Sequence, residues 1–111
     1  WRNGFAVLGE RLRLNTEQKA RLDVLELEFA ARRRSREAEL RAANAELARA
    51  IQSRHEYSPE VRAAVERFHG AMGELQKETI LHVLAMRTVL TPDQAKQFDA
   101  RIGESLTQQA P

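Results

Sequence analysis

The 111-residue chain has no cysteine, so thiolate metal sites and disulfides are excluded, while the redox compartment stays open. Glycine and proline are few and aromatic residues make up only 5%. Alanine, leucine, glutamate, arginine and glutamine dominate instead, a composition of long helices rather than of sheets or disorder. No apolar run approaches the roughly 18 residues needed to span a bilayer. The formal charge is only +2, which gives no global bias toward nucleic acid. There is no Ser/His/Asp arrangement, Gly-rich phosphate loop or HExxH motif, and with three histidines an enzyme is not expected. The first residue is Trp1, not Met, and a signal peptide or membrane anchor is expected upstream.

What is present is a set of helix starts. "NTEQ" (Asn15 to Gln18) is a cap with Gln at the third helical position. "SPEV" (Ser58 to Val61) has Ser as cap and Pro at the first helical position, and "TPDQ" (Thr91 to Gln94) combines both signals. In each, a side-chain oxygen can accept from an otherwise unpaired backbone N–H. The starts predict four helices: a short one over about Phe5 to Arg13, long ones over Thr16 to about Ser53 and Pro59 to about Val89, and a short one over Pro92 to about Leu106. The short link "SRHEY" requires the long helices to fold back as an antiparallel hairpin. The expected architecture is therefore all-α, one domain, with a hooked hairpin of two long helices and short helices at each end. "LNTEQ" and "LTPDQ" form a weak internal echo, too short to prove a repeat.

The third helix carries a heptad stripe: Val61, Val65, Phe68, Met72, Leu75, Thr79, His82, Met86 and Val89. The long second helix has Leu22, Leu25 and Phe29, then Leu40, Ala43, Leu47 and Ala50, with the stripe interrupted at Arg32 to Arg36. Two long helices enclose little interior, so a second copy is expected to cover the flank as a homodimer.

Within "ETILHVLAM", His82 and Met86 stand one helical turn apart on the apolar stripe. An imidazole nitrogen ligates nickel, copper, zinc and cobalt, whereas a thioether suits only some of these. Taken alone, such a pair is more often plain core, because methionine commonly fills gaps. Glu26 sits beside the stripe of the long helix, four residues after Leu22 and three before Phe29. A buried carboxylate there needs a partner, either an arginine or a metal, although taken alone Glu26 reads more often as an ordinary solvated or Arg-paired helix carboxylate. His69 and Met72 make a second, poorer pair: His69 lies beside the stripe, and Met72 reads most simply as core. His55 falls in the polar turn and reads as solvated. The cluster Arg32, Arg33, Arg34 and Arg36 has Glu37 and Glu39 nearby and no interleaved aromatics, so it reads as a solvated, partly paired face rather than a nucleic-acid site.

The segments "FAARRRSREAELRAANAELARAI", "YSPEV" and "GELQKETILHVLAMR", followed by a capped short helix, resemble the CnrX-type periplasmic heavy-metal sensors. These belong to a wider helical-hairpin group that includes the Spy and CpxP chaperones and zinc-binding ZraP, and "LTPDQ" matches that group's LTxxQ motif. The similarity covers nearly the whole chain and is densest from Phe29 to Arg87. It implies a dimer of hooked hairpins in the periplasm, tethered to the inner membrane, that binds nickel or cobalt and signals to a membrane-bound anti-sigma factor. It implies His82, Met86 and Glu26 as ligands, with the thioether distinguishing nickel or cobalt from zinc; zinc and copper remain further candidates. The chain departs from the pattern at two family histidine positions on the first short helix, matched here by Phe5 and Gly9, so three of five ligands are kept. Glu10, His69, an upstream residue or a dimer partner are the candidates to complete the set.

Two other readings stay open. One is a Spy- or CpxP-like chaperone or adaptor whose helical dimer binds proteins independently of metal. The other is a plain helical dimerisation domain in which His82 and Glu26 pair with each other or with arginines.

Overall fold

The computed structural model describes residues 12–108, and these are all-helical. Three helices follow in order: α1 (Thr16–Ser53), α2 (Pro59–Arg87) and α3 (Pro92–Gln108). Apart from Leu12 and Arg13, the short helix expected over Phe5 to Arg13 lies outside the described residues. Helix α1 runs 38 residues without a glycine or proline, so nothing in its sequence interrupts the backbone ladder. The three helix starts are capped as their sequences predict. The Asn15 N–H donates to Gln18 Oε1 at 3.0 Å, and the Gln18 N–H donates to Asn15 Oδ1 at 2.8 Å. Thr91 and Gln94 repeat the same reciprocal box at 3.0 and 3.3 Å. At α2 the buried Ser58 accepts the Val61 N–H at 3.2 Å, with Pro59 in the first helical position.

The chain divides into two compact units, one made of the segments up to Glu26 and from Val83 onward, the other Leu27–His82. In the second, α1 and α2 run antiparallel. Phe29 pairs with His82, Arg36 with Glu78, and Arg67 with Glu46, so residues later in α1 meet residues earlier in α2. The most buried hydrophobic positions of this unit include Ala43, Ala64 and Ala71 as well as Phe29 and Val61. The buried face of α2 is therefore offset from the expected stripe toward small side chains. Ala64 and Ala71 are buried, whereas Val65 is half-buried and Met72, expected as core, is 45% exposed. The gap at Arg32 to Arg36 is bridged by arginines lying across apolar and acidic neighbours. Arg33 reaches over the Phe29 ring and to Glu37, and Arg36 reaches to Glu39, Glu74 and Glu78, while Arg32 and Arg34 are exposed.

In the first unit, Leu12, Leu22, Val83, Met86, Val89 and Phe98 form one buried cluster, flanked by Leu14, Leu25, Leu90 and Ile102. Ala95, Phe98 and Ile102 recur at helical spacing along α3 and supply its inward face. On the outside, Arg87 makes a two-point contact with Asp99 at 2.8 and 3.0 Å. That hydrogen bond, with the guanidinium charge, holds the Asp99 carboxyl below its ordinary range.

Candidate metal centre

Three potential donors of different chemistry were expected together: an oxygen from Glu26, a nitrogen from His82 and a sulfur from Met86. Helix α2 places His82 and Met86 one turn apart, and both are 1% exposed. The imidazole of His82 lies flat on the Phe29 ring, with centroids 4.3 Å apart and planes within 5°. The Arg33 guanidinium carbon sits 5.6 Å from the centroid of the same ring. This packing fixes the plane of the imidazole and removes it from bulk water. Met86 is in the buried cluster of the other unit, with Leu22, Val89 and Phe98. Glu26 is half-buried on α1 and belongs to the same unit as Met86, whereas His82 belongs to Leu27–His82.

A fourth residue enters from the structure. Glu78 precedes His82 by four residues in α2, and its side chain is 14% exposed. One carboxylate oxygen, Oε1, accepts from Arg36 Nη2 at 3.4 Å. The other, Oε2, is buried and has no hydrogen-bond partner among the described residues. Buried acceptors are nearly always satisfied, and leaving one unmade typically costs about 1–3 kcal/mol. The Glu78 hydrogen bond and charge push the Arg36 guanidinium further toward its protonated form. Sequence reading passed over Glu78 because it sits off the apolar stripe. Its signal was its spacing of four from His82.

The remaining candidates separate clearly. His69 and Met72 are exposed, and the His69 ring touches Phe68 edge-on at 6.4 Å. His55 is exposed, as its place in the turn implies. Phe5, Gly9 and Glu10 lie outside the described residues. Among the described residues, no three His, Asp or Glu side chains already converge as a metal-holding group. Within the second unit, His82 offers an imidazole and Glu78, four residues before it, a carboxylate whose Oε2 is buried without a hydrogen-bond partner among the described residues, a chemistry that suits a borderline transition metal.

The other functional feature that sequence reading missed joins the two cap motifs. Gln18 Nε2 donates to Gln94 Oε1 at 2.7 Å and to the Val89 carbonyl at 3.1 Å. Gln94 Nε2 donates to the Leu12 carbonyl at 3.0 Å. Each glutamine thus caps its own helix while satisfying a carbonyl just before the other motif. The Leu12 carbonyl needs such a donor because Arg13 takes the left-handed conformation, with φ at 55°, so the helical conformation of Leu12 does not continue past it. The echo of "LNTEQ" and "LTPDQ" therefore marks two interlocked caps.

Among the described residues no helix is long and apolar enough to cross a membrane. The model of the heavy-metal resistance family matches residues 2–97. The chain is also 39% identical over 100 residues to the nickel and cobalt resistance protein CnrR of Cupriavidus metallidurans, covering 90% of this chain and 68% of that protein. That family is described by resistance to metals rather than by a reaction, and with a match over most of its length this chain belongs to the heavy-metal resistance family.

Proposed function

We propose that the chain is a metal-responsive, non-enzymatic domain of the periplasm, tethered to the inner membrane, that takes nickel or cobalt through Glu26, His82 and Met86. In this reading it acts as a homodimer and signals to a membrane-bound anti-sigma partner. The observation that carries the metal assignment is the fully buried imidazole of His82, held flat on Phe29, one helical turn before a fully buried thioether. A relative named for nickel and cobalt resistance supports the choice of metals.

A bound divalent ion supplies positive charge and directional bonds to oxygen, nitrogen and sulfur donors. The residues supply the rest. Phe29 orients the His82 ring, so little imidazole freedom is lost on binding. Met86 sits against Leu22, Val89 and Phe98, so any movement of its thioether is felt by the inward face of α3. The donors come from α1 and from successive turns of α2, so binding favours the conformer in which they converge. This is a population shift, and the partner reads the favoured conformer.

Calorimetric titration of the purified chain with Ni(II), Co(II), Cu(II) and Zn(II), repeated with His82→Ala, tests the reading. Saturable binding of nickel or cobalt is expected, weakened about a hundredfold or more in His82→Ala, since roughly 2.7 kcal/mol of lost ligation corresponds to that factor. Equal binding by both proteins, or none by either, removes the proposed site.

Exposed apolar side chains favour a second reading, a chaperone or adaptor that binds proteins independently of metal. Leu27 is 73% exposed, and Val24, Leu81 and Leu84 are also largely exposed. Within the first unit Arg21, Val24, Leu25, Ala85, Thr88 and Val89 line a groove of about 330 Å³. Suppression of client aggregation at equal strength with and without metal would favour that reading.

A further inference from the structure

We infer that Glu78 is an additional metal ligand of this chain, held in reserve by Arg36. The inference rests on the metal reading above and names a residue outside its expected ligand set.

Three observations converge. First, Glu78 and His82 are four residues apart in α2, so their side chains emerge on one face, with Cβ atoms on the order of 5–6 Å apart. Long and ring side chains in a helix lean toward its N-terminus, which tilts the His82 imidazole over the turn that carries Glu78. A carboxylate and an imidazole at this spacing can share one cation. Second, Glu78 Oε2 is buried and has no hydrogen-bond partner among the described residues. A native carboxylate oxygen in that condition calls for a donor or a cation. Third, the neutralisation that Glu78 does receive reaches one oxygen only and is shared. Among the described residues its partner is Arg36, which reaches the other oxygen at 3.4 Å and is shared with Glu39 at 3.1 Å and Glu74 at 4.0 Å. Arg36 therefore has other carboxylates to turn to, and Glu78 can leave it without stranding the guanidinium.

The arrangement makes Arg36 and a metal competitors. Arg36 occupies one oxygen of Glu78 and places a positive charge near the His82 turn, opposing a second cation there. When Glu78 turns from Arg36 toward His82, its buried oxygen gains the cation it lacks and Arg36 relaxes onto Glu39 and Glu74. Among the described residues no three acidic or histidine groups already converge, so the ligand set is completed by this turn rather than preformed.

The test uses Ni(II) and Co(II) chlorides as probes, with the wild-type chain, Glu78→Gln, Arg36→Ala, the double variant and His82→Ala. Dissociation constants come from calorimetry, the Co(II) visible spectrum reports the ligand field, and circular dichroism checks helix content. Glu78→Gln is expected to weaken binding by about tenfold to a hundredfold and to change the Co(II) spectrum. Arg36→Ala, which keeps the carboxylate and removes its competitor, is expected to tighten binding several-fold, with that gain absent in the double variant. If Glu78→Gln loses helix content, the tightening in Arg36→Ala and its altered Co(II) spectrum carry the test, and no change there overturns the inference. Unchanged affinity and spectrum in a folded Glu78→Gln, with binding abolished in His82→Ala, overturn the role of Glu78 and leave the metal reading intact. Binding that is indifferent to His82→Ala as well overturns both.

Discussion

Replacing Phe98 with alanine is expected to destabilise the chain by about 3–5 kcal/mol, the usual cost of truncating a fully buried phenylalanine. Phe98 is one of the largest fully buried side chains and supplies the main inward contact of α3 in the cluster with Leu12, Leu22, Val83, Met86 and Val89. The residues around it come from separate segments of the chain, so the cavity cannot close by local adjustment. A small domain has roughly 5–15 kcal/mol of total stability, so this single change removes a large share of it. Urea unfolding followed by circular dichroism should show the midpoint fall with little change in slope, and the melting temperature should drop by roughly 15 °C or more. Met86→Leu, nearly volume-conserving in the same cluster, should cost less than about 1.5 kcal/mol. If Phe98→Ala costs no more than that control, α3 is not docked by this core.

The second large effect concerns the two glutamines. Gln18→Ala removes a cap acceptor and two donated hydrogen bonds and leaves the Val89 carbonyl without its side-chain donor. Gln94→Ala does the same to the Leu12 carbonyl. Each change is expected to cost about 2–3 kcal/mol, adding a lost cap to an unsatisfied buried carbonyl. Because the side chains bond each other, the double variant should cost less than the sum of the two by about 0.5–1 kcal/mol or more. Gln18→Glu separates the two roles. Glutamate is a good third-position capping residue, so a cap alone would tolerate it. It cannot donate to the Val89 carbonyl while ionised, so the interlock would not. Gln18→Glu is expected to be at least as damaging as Gln18→Ala at neutral pH. It should recover in part on acidification, since a protonated acid can donate: this carboxyl has a raised folded pKa, so stability rises as pH falls through that value. A neutral Gln18→Glu would mean that the interlock contributes nothing.

These two effects show where sequence reading succeeds. Helix starts were legible because capping is local chemistry: an Asn, Ser or Thr and a Gln three residues on declare the cap without help from the fold. The starts at Thr16, Pro59 and Pro92 fall where those motifs place them, and the long α1 ends at Ser53 as expected. The interlock of Gln18 with Gln94 was not legible, because it joins positions 76 residues apart and depends on how the segments return to each other. The echo of the motifs was its only trace.

The core face was legible in period but not in phase. A stripe chosen by bulk takes Val65 and Met72, while the buried positions are Ala64 and Ala71. Alanine carries little hydrophobic signal, yet it is what a close helix pair requires at its seam. His82 and Met86 fell on both versions of the stripe, which is why their burial was predictable. The stack of Phe29 on His82 and the clamp of Arg36 on Glu78 needed the pairing of α1 with α2, which spacing within one helix does not reveal.

The most direct measurement is X-ray absorption at the metal edge of the nickel-loaded chain, compared with Met86→Leu and His82→Ala. A light-atom shell with imidazole scattering plus one sulfur is expected, the sulfur lost in Met86→Leu and the imidazole contribution lost or binding abolished in His82→Ala. A nickel spectrum without sulfur, or one unchanged by both substitutions, would contradict that coordination.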